Sequence, residues 1–205
     1  GTNTVITAGD DVAVIAGSDH TVGATSKSSG GGGIAGKIAF TTARLDSVTE
    51  AFTQSGARIT AGDVLAIRTS SQSTGKTNTY TLAIAVGAGA DSDDTNGDRG
   101  VKLNAASTVT IGAGSLLHAN TIDIDAGIDK AYGEAVARSE AYSVIFFSVA
   151  TAFSRALVDI TADATVNLNG STTRITGIQG VDIQAHQAGV KAERIQVGSA
   201  SRSSA

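Results

Sequence analysis

The sequence predicts an all-β protein built as a parallel β-solenoid, and three observations predict it. A short phrase returns at a near-constant spacing, its strands alternate apolar and polar residues, and proline is absent from all 205 positions. Average usage would place about ten prolines in such a chain. Proline deletes a ladder hydrogen bond wherever strands pair on both sides, so its absence fits a stack paired above and below.

The repeat comes first, because it sets the architecture. Val5-Ile6-Thr7-Ala8-Gly9-Asp10 returns as Arg58-Ile59-Thr60-Ala61-Gly62-Asp63. Further copies read Leu117-His118-Ala119-Asn120-Thr121 and Ile175-Thr176-Gly177-Ile178-Gln179. The blocks start at Ile6, Ile59, Leu117 and Ile175, at intervals of 53, 58 and 58 residues. Each continues into an alternating run with apolar pairs Val12/Val14, Leu65/Ile67, Ile122/Ile124 and Val181/Ile183. Period two means a strand with one dry and one wet face. Val109–Gly114 and Val166–Gly170 alternate in the same way ahead of the third and fourth copies. Gly and Asn close the strands, where sharp corners are needed.

A period of about 58 residues predicts three coils of about 19 residues, with two longer rungs as the other solution. Residues 1–205 then form a single module, expected to be a fragment of a longer repetitive chain. Residues 132–159 carry Phe and Glu that suit an amphipathic helix by composition. They occupy the slot of Thr79–Val86 one period earlier, so strand is the preferred reading.

Composition excludes much. Ala, Gly, Thr and Ser make up 105 residues, and Phe and Tyr only eight. Small side chains suit a narrow interior. No Cys is present, which removes disulfides, thiolate zinc sites and a cysteine nucleophile. The net charge of −4 and the lack of a basic run argue against nucleic acid as a partner. No apolar run approaches the roughly 18–20 residues of a membrane helix, so membrane insertion is not expected.

Few residues suggest chemistry. Asp91, Asp93, Asp94, Asn96 and Asp98 crowd oxygen donors around Gly97, a composition that can wrap Ca²⁺. The match to a helix–loop–helix calcium loop is partial, with Arg99 at the sixth position and Ala105 at the twelfth. An acidic solvated loop is the plainer reading, so no cofactor is required and Ca²⁺ is the candidate. His20, His118 and His186 fall at different points of the repeat and form no cluster in sequence. Asp123, Asp125 and Asp182 fall on outward strand positions, where charges are ordinarily just solvated. Thr77, Thr79 and Thr81 alternate like the threonine ladders of ice-binding solenoids. The next period offers Glu140, Tyr142 and Val144, so a ladder is not expected. Along Tyr142–Phe153 a strand points large apolar residues both ways. Tyr142, Val144, Phe146, Phe147 and Phe153 are therefore candidates for a lateral contact.

Ser55-Gly56-Ala57-Arg58-Ile59-Thr60-Ala61-Gly62-Asp63-Val64, with its echoes in all four blocks, resembles the repeats of giant Gram-negative filamentous adhesins. These are the haemagglutinin-like and leukotoxin-like surface proteins. The resemblance implies a secreted right-handed β-helix at the cell surface, serving as a stalk or fibre and supplying no catalytic residues. End-to-end or lateral self-association follows as an expectation, with cell-surface or carbohydrate ligands as further partners. A calcium-dependent carbohydrate- or cell-binding module is the alternative, and a β-helix polysaccharide-degrading enzyme a more distant one.

Overall fold

The computed structural model describes residues 4–93, 99–144 and 150–202. Every regular element among them is a β-strand, and every strand pairing is parallel. The chain makes four passes. The first holds β1 (Val5–Thr7), β2 (Val12–Ala39) and β3 (Thr42–Thr53). The second holds β4 (Arg58–Thr60), β5 (Val64–Asp93) and β6 (Gly100–Ile111). The third holds β7 (Leu116–Ser143), β8 (Ala150–Arg155) and β9 (Val158–Leu168), and the fourth holds β10 (Arg174–Gln187) and β11 (Val190–Arg202).

Passes stack directly on one another. Ile6 pairs with Ile59, Ile59 with Leu117 and Leu117 with Ile175, so the four block starts form one column. Val12, Leu65, Ile122 and Val181 form a second column beside it. This corrects the expected three coils of about 19 residues. Ladder neighbours come from successive blocks, with no strand of the same block between them.

Each pass is long because it runs out along one layer and back along another. A straight strand rises about 3.3 Å per residue, so residues ten apart would lie about 33 Å from each other. Yet the Thr81 hydroxyl donates to the Asp91 carbonyl at 2.9 Å and lies 2.8 Å from the Ser92 hydroxyl. β5 therefore folds back near Val86–Gly87, and Ala83 and Ala85 pack against Ala88 and Ala90. The return layer is the sheet β3-β6-β9. Val109 and Ile111 of β6 meet Leu65 and Ile67 of β5 across the interior. The corner before β4 and β7 uses Gly56 and Gly114, at φ 74° and 71°, a region where a Cβ is strained.

The register also accounts for the short first interval. Ala39 pairs with Ser92 and Thr42 with Gly100. Two residues lie between those positions in the first pass and seven in the second. The second pass therefore carries five more residues between these positions, which turns an interval of 53 into one of 58. A second irregularity falls at Asp129, which β7 carries without a partner between Ile128 (opposite Ser71) and Lys130 (opposite Gln72). This bulge shifts the inward set of β7 from even to odd positions, so Ile124, Ala126 and Ile128 are followed by Ala131, Gly133 and Ala135.

The interior changes character along the pass. Near the Gly56/Gly114 corner it is Leu, Ile and Val. Further along it is Ala, Ser and Thr, and hydroxyls bridge the layers: Ser107 to Thr69 at 2.7 Å, Thr41 to Thr79, and Ser18 to Thr49. Within this hydroxyl-rich stretch Gly75 and Gly133 stack. A Cβ on either would lie 2.7 and 2.4 Å from the side chains of Val101 and Val158. Those glycines make room for the branched residues of the return layer.

The inward assignments from the sequence hold. Ile59, Ile67, Leu117 and Ile124 are buried, while on the fourth pass, beyond which no described strand pairs, Ile175 is partly buried and Ile183 is exposed. The described parts of 132–159 hold strand and no helix. Thr77, Thr79 and Thr81 face inward and are buried, and their ladder partners are Ala135, Ala137 and Ser139 rather than Glu140, Tyr142 and Val144. The outward threonine ladder is thereby excluded.

Candidate functional site

The outward face of the larger sheet concentrates the polar chemistry of the chain. Parallel stacking puts residues one pass apart about 4.8 Å from each other, so charges remote in sequence become neighbours. Arg68 pairs with Ile15 and Asp125 in the ladder and donates diagonally to Asp123. That hydrogen bond raises the already high pKa of the guanidinium. His186 lies between two carboxylates, with Nδ1 2.9 Å from Asp125 and Nε2 3.4 Å from Asp129. Its pKa is raised, first by the hydrogen bond to Asp125. The bulge at Asp129 makes this possible by turning its carboxylate outward, where the Ser70 hydroxyl also donates to it.

Further along the same face lies a tyrosine-rich strip. The Tyr132 hydroxyl donates to Glu193 at 2.7 Å, which pushes its pKa up to about 12. Lys76 pairs with Glu134 at 2.8 Å and stands 5.7 Å from the Tyr132 ring centre. Glu193 also receives Lys191, and that contact holds its carboxyl below the ordinary range. The hydroxyls of Tyr80 and Tyr142 both donate to Glu140, at 3.1 and 3.3 Å. Burial and that hydrogen bond raise the Tyr80 pKa.

Two shallow hollows join within this strip. One of about 410 Å³ is lined by Lys27, Asn78, Tyr80, Val136, Arg138 and Glu140. The other, about 320 Å³, shares Asn78 and Val136 and adds Lys76 and Glu134. Together they form one groove crossing the first three passes.

Of the proposed calcium ligands, Asp94, Asn96 and Asp98 lie outside the described residues. Asp91 and Asp93 end β5, and Asp91 Oδ1 is buried with no hydrogen-bond partner among the described residues. Asp91 stands in the ladder between Ile38 and Phe153. Of the proposed contact residues, Tyr142, Val144 and Phe153 are exposed, while Phe146 and Phe147 lie outside the described residues. Tyr142 lies at the end of β7 and Val144 just after it, whereas Phe153 belongs to β8.

Sequence reading missed two groupings. Asp10, Asp11 and Asp63 bring carboxylate oxygens within 4.8 Å of one another at the block corner. Asp11 already accepts the Val64 N–H, and Asp63 the Asn120 amide. The recurring Ala-Gly-Asp phrase held that signal. The other is the association of Tyr80, Tyr132 and Tyr142, the chain's three tyrosines, on one face. It was hidden because aromatic residues in different blocks show no cluster until the register is known. No family model, curated protein or solved structure matches this chain.

Proposed function

We propose that the chain is a right-handed parallel β-solenoid with one coil per block of about 58 residues, acting as a rigid structural module. In this reading it is a stalk or fibre segment of a large repetitive adhesin at a Gram-negative cell surface, and it is not a catalyst. One observation carries the reading: the columns Ile6–Ile59–Leu117–Ile175 and Val12–Leu65–Ile122–Val181 run through all four passes. A column of identical chemistry is extensible, since each added coil pairs with the last and buries the same face.

Among the described residues the outer edges of the first and fourth passes have no strand partner, and such edges are a template for a further coil or for a second copy. Outward charges support a structural role as well. Arg68, Lys76, His186 and Lys191 are each engaged by a carboxylate, mostly from a neighbouring pass. Oriented electron diffraction and imaging of concentrated protein test the proposal. Rods of constant width with a spacing of about 4.8 Å along the rod axis are expected. Compact oligomers without that axial spacing would refute it.

A further inference from the structure

We infer that the groove over Lys27, Asn78, Tyr80 and Arg138 binds an acidic polysaccharide of the uronate type, laid along the outward face of the larger sheet. The inference goes beyond the stalk reading and does not depend on it. Lys27, Tyr80 and Arg138 occupy one ladder position on three successive strands, so a tyrosine stands between two cations. Both cations are exposed, and neither has a carboxylate partner among the described residues. This separates them from Lys76, whose charge is taken up by Glu134.

The ring of Tyr80 is half-buried and held by its hydroxyl on Glu140. A fixed aromatic face can carry the apolar side of a sugar ring at low entropic cost. Arg138 offers a planar fork suited to a carboxylate, and Lys27 a point charge. Asn78 adds an amide that both donates and accepts.

The acids of the groove select among polyanions. Glu134 and Glu140 lie along the same path as the cations. Nucleic acid carries one charge per about 1.7 Å of duplex axis, so it would lay phosphates against both carboxylates. A uronate chain spaces its charges by sugar rings with neutral hydroxyls between, and those hydroxyls need acceptors. Alternating cations and acceptors match that pattern. The net charge of −4 adds a general repulsion that only a sparse polyanion with local contacts overcomes.

The test is affinity electrophoresis and calorimetry with the whole chain in a chelating buffer, which separates this site from any calcium-dependent one. Polygalacturonate is expected to bind and neutral dextran not to. Arg138→Gln, with unchanged melting, and Tyr80→Ala, measured well below its own melting transition, should each weaken binding at least tenfold. Tyr80→Phe, which keeps the ring, should lose less than Tyr80→Ala. Arg174→Gln, an exposed cation on β10, should bind as the parent does. Failure to bind polygalacturonate would overturn the proposal. So would equal retention of polyphosphate, or an equal loss in Arg174→Gln, since either makes the effect one of charge alone.

Discussion

The two ends of a pass solve the same packing problem differently. Beside the Gly56/Gly114 corner, Leu65, Ile67, Val109, Ile111, Leu117, Ile122 and Ile124 fill the space between layers. At the far end the buried set is Ala83, Ala85, Ala88, Ala90 and Ala141, with Thr79, Thr81, Ser92 and Ser139 beside it. The first end is stabilised mainly by apolar area, at about 25 cal/mol per Å². The second buries little per residue and depends on hydroxyls finding partners across a thin gap. Volume governs one end and hydrogen-bond matching the other.

The sharpest break in that comparison comes from charging the thick end. Ile124→Asp places a carboxylate in a dry column between Ile67 and Ile183, and should cost about 3 kcal/mol or more. Urea unfolding would measure it. Overfilling the hydroxyl-rich stretch at its glycine pair comes next. Gly133→Val drives a side chain into Val158 and should cost about 1–3 kcal/mol. Valine at exposed Gly36, where a Cβ meets nothing within 4 Å, serves as its control.

Hydroxyls sharpen the contrast at smaller amplitude. Ser107→Ala strands the buried Thr69 hydroxyl and should cost about 1 kcal/mol. Ser73 is also buried, but its hydroxyl has no partner among the described residues, so Ser73→Ala should be neutral or stabilising. If both serines behave alike, hydrogen-bond matching does not govern the thin region.

The smallest effect is electrostatic. His186 has a raised pKa when folded, so its contribution is fully present below the unfolded value of about 6.5. That contribution disappears as pH rises through the folded value. Thermal melting of the parent and His186→Gln should therefore differ at pH 5.5 and converge by pH 8.5. A difference that grows with pH would reverse the assignment. Asp125 is part of this cluster rather than a merely solvated charge. Asp125→Ala should show the same pH signature, with a modest amplitude because the histidine is substantially exposed.

Strand type, inward faces and block starts could be read from the sequence because period-two alternation and exact recurrence are local signals. The 19-residue coil could not be corrected there. A corner leaves only a small local mark: β5 turns at Val86–Gly87 inside one uninterrupted strand, and the inward set passes there from odd to even positions, from Ala83 and Ala85 to Ala88 and Ala90. The same limit hid the hydroxyl seam: Thr77, Thr79 and Thr81 look like a polar face until the opposite layer supplies Thr41 and Ser92. The tyrosine strip required register across blocks. The bulge at Asp129 changes which parity points outward, and so decides that Tyr132, Glu134 and Arg138 share a face with Lys76 and Tyr80.

The central claim is that each pass stacks on the pass one block away, and cysteine pairing tests it directly in a chain with no native thiol. Asn104 and Thr161 are exposed register partners on β6 and β9. Neighbouring parallel strands hold Cα atoms about 4.8 Å apart, inside the range a disulfide accepts. Asn104→Cys with Thr161→Cys should close rapidly and quantitatively under mild oxidation. Asn104→Cys with Asp123→Cys, the pair a 19-residue coil would bring together, should stay reduced. Closure of the second pair and not the first would contradict the account.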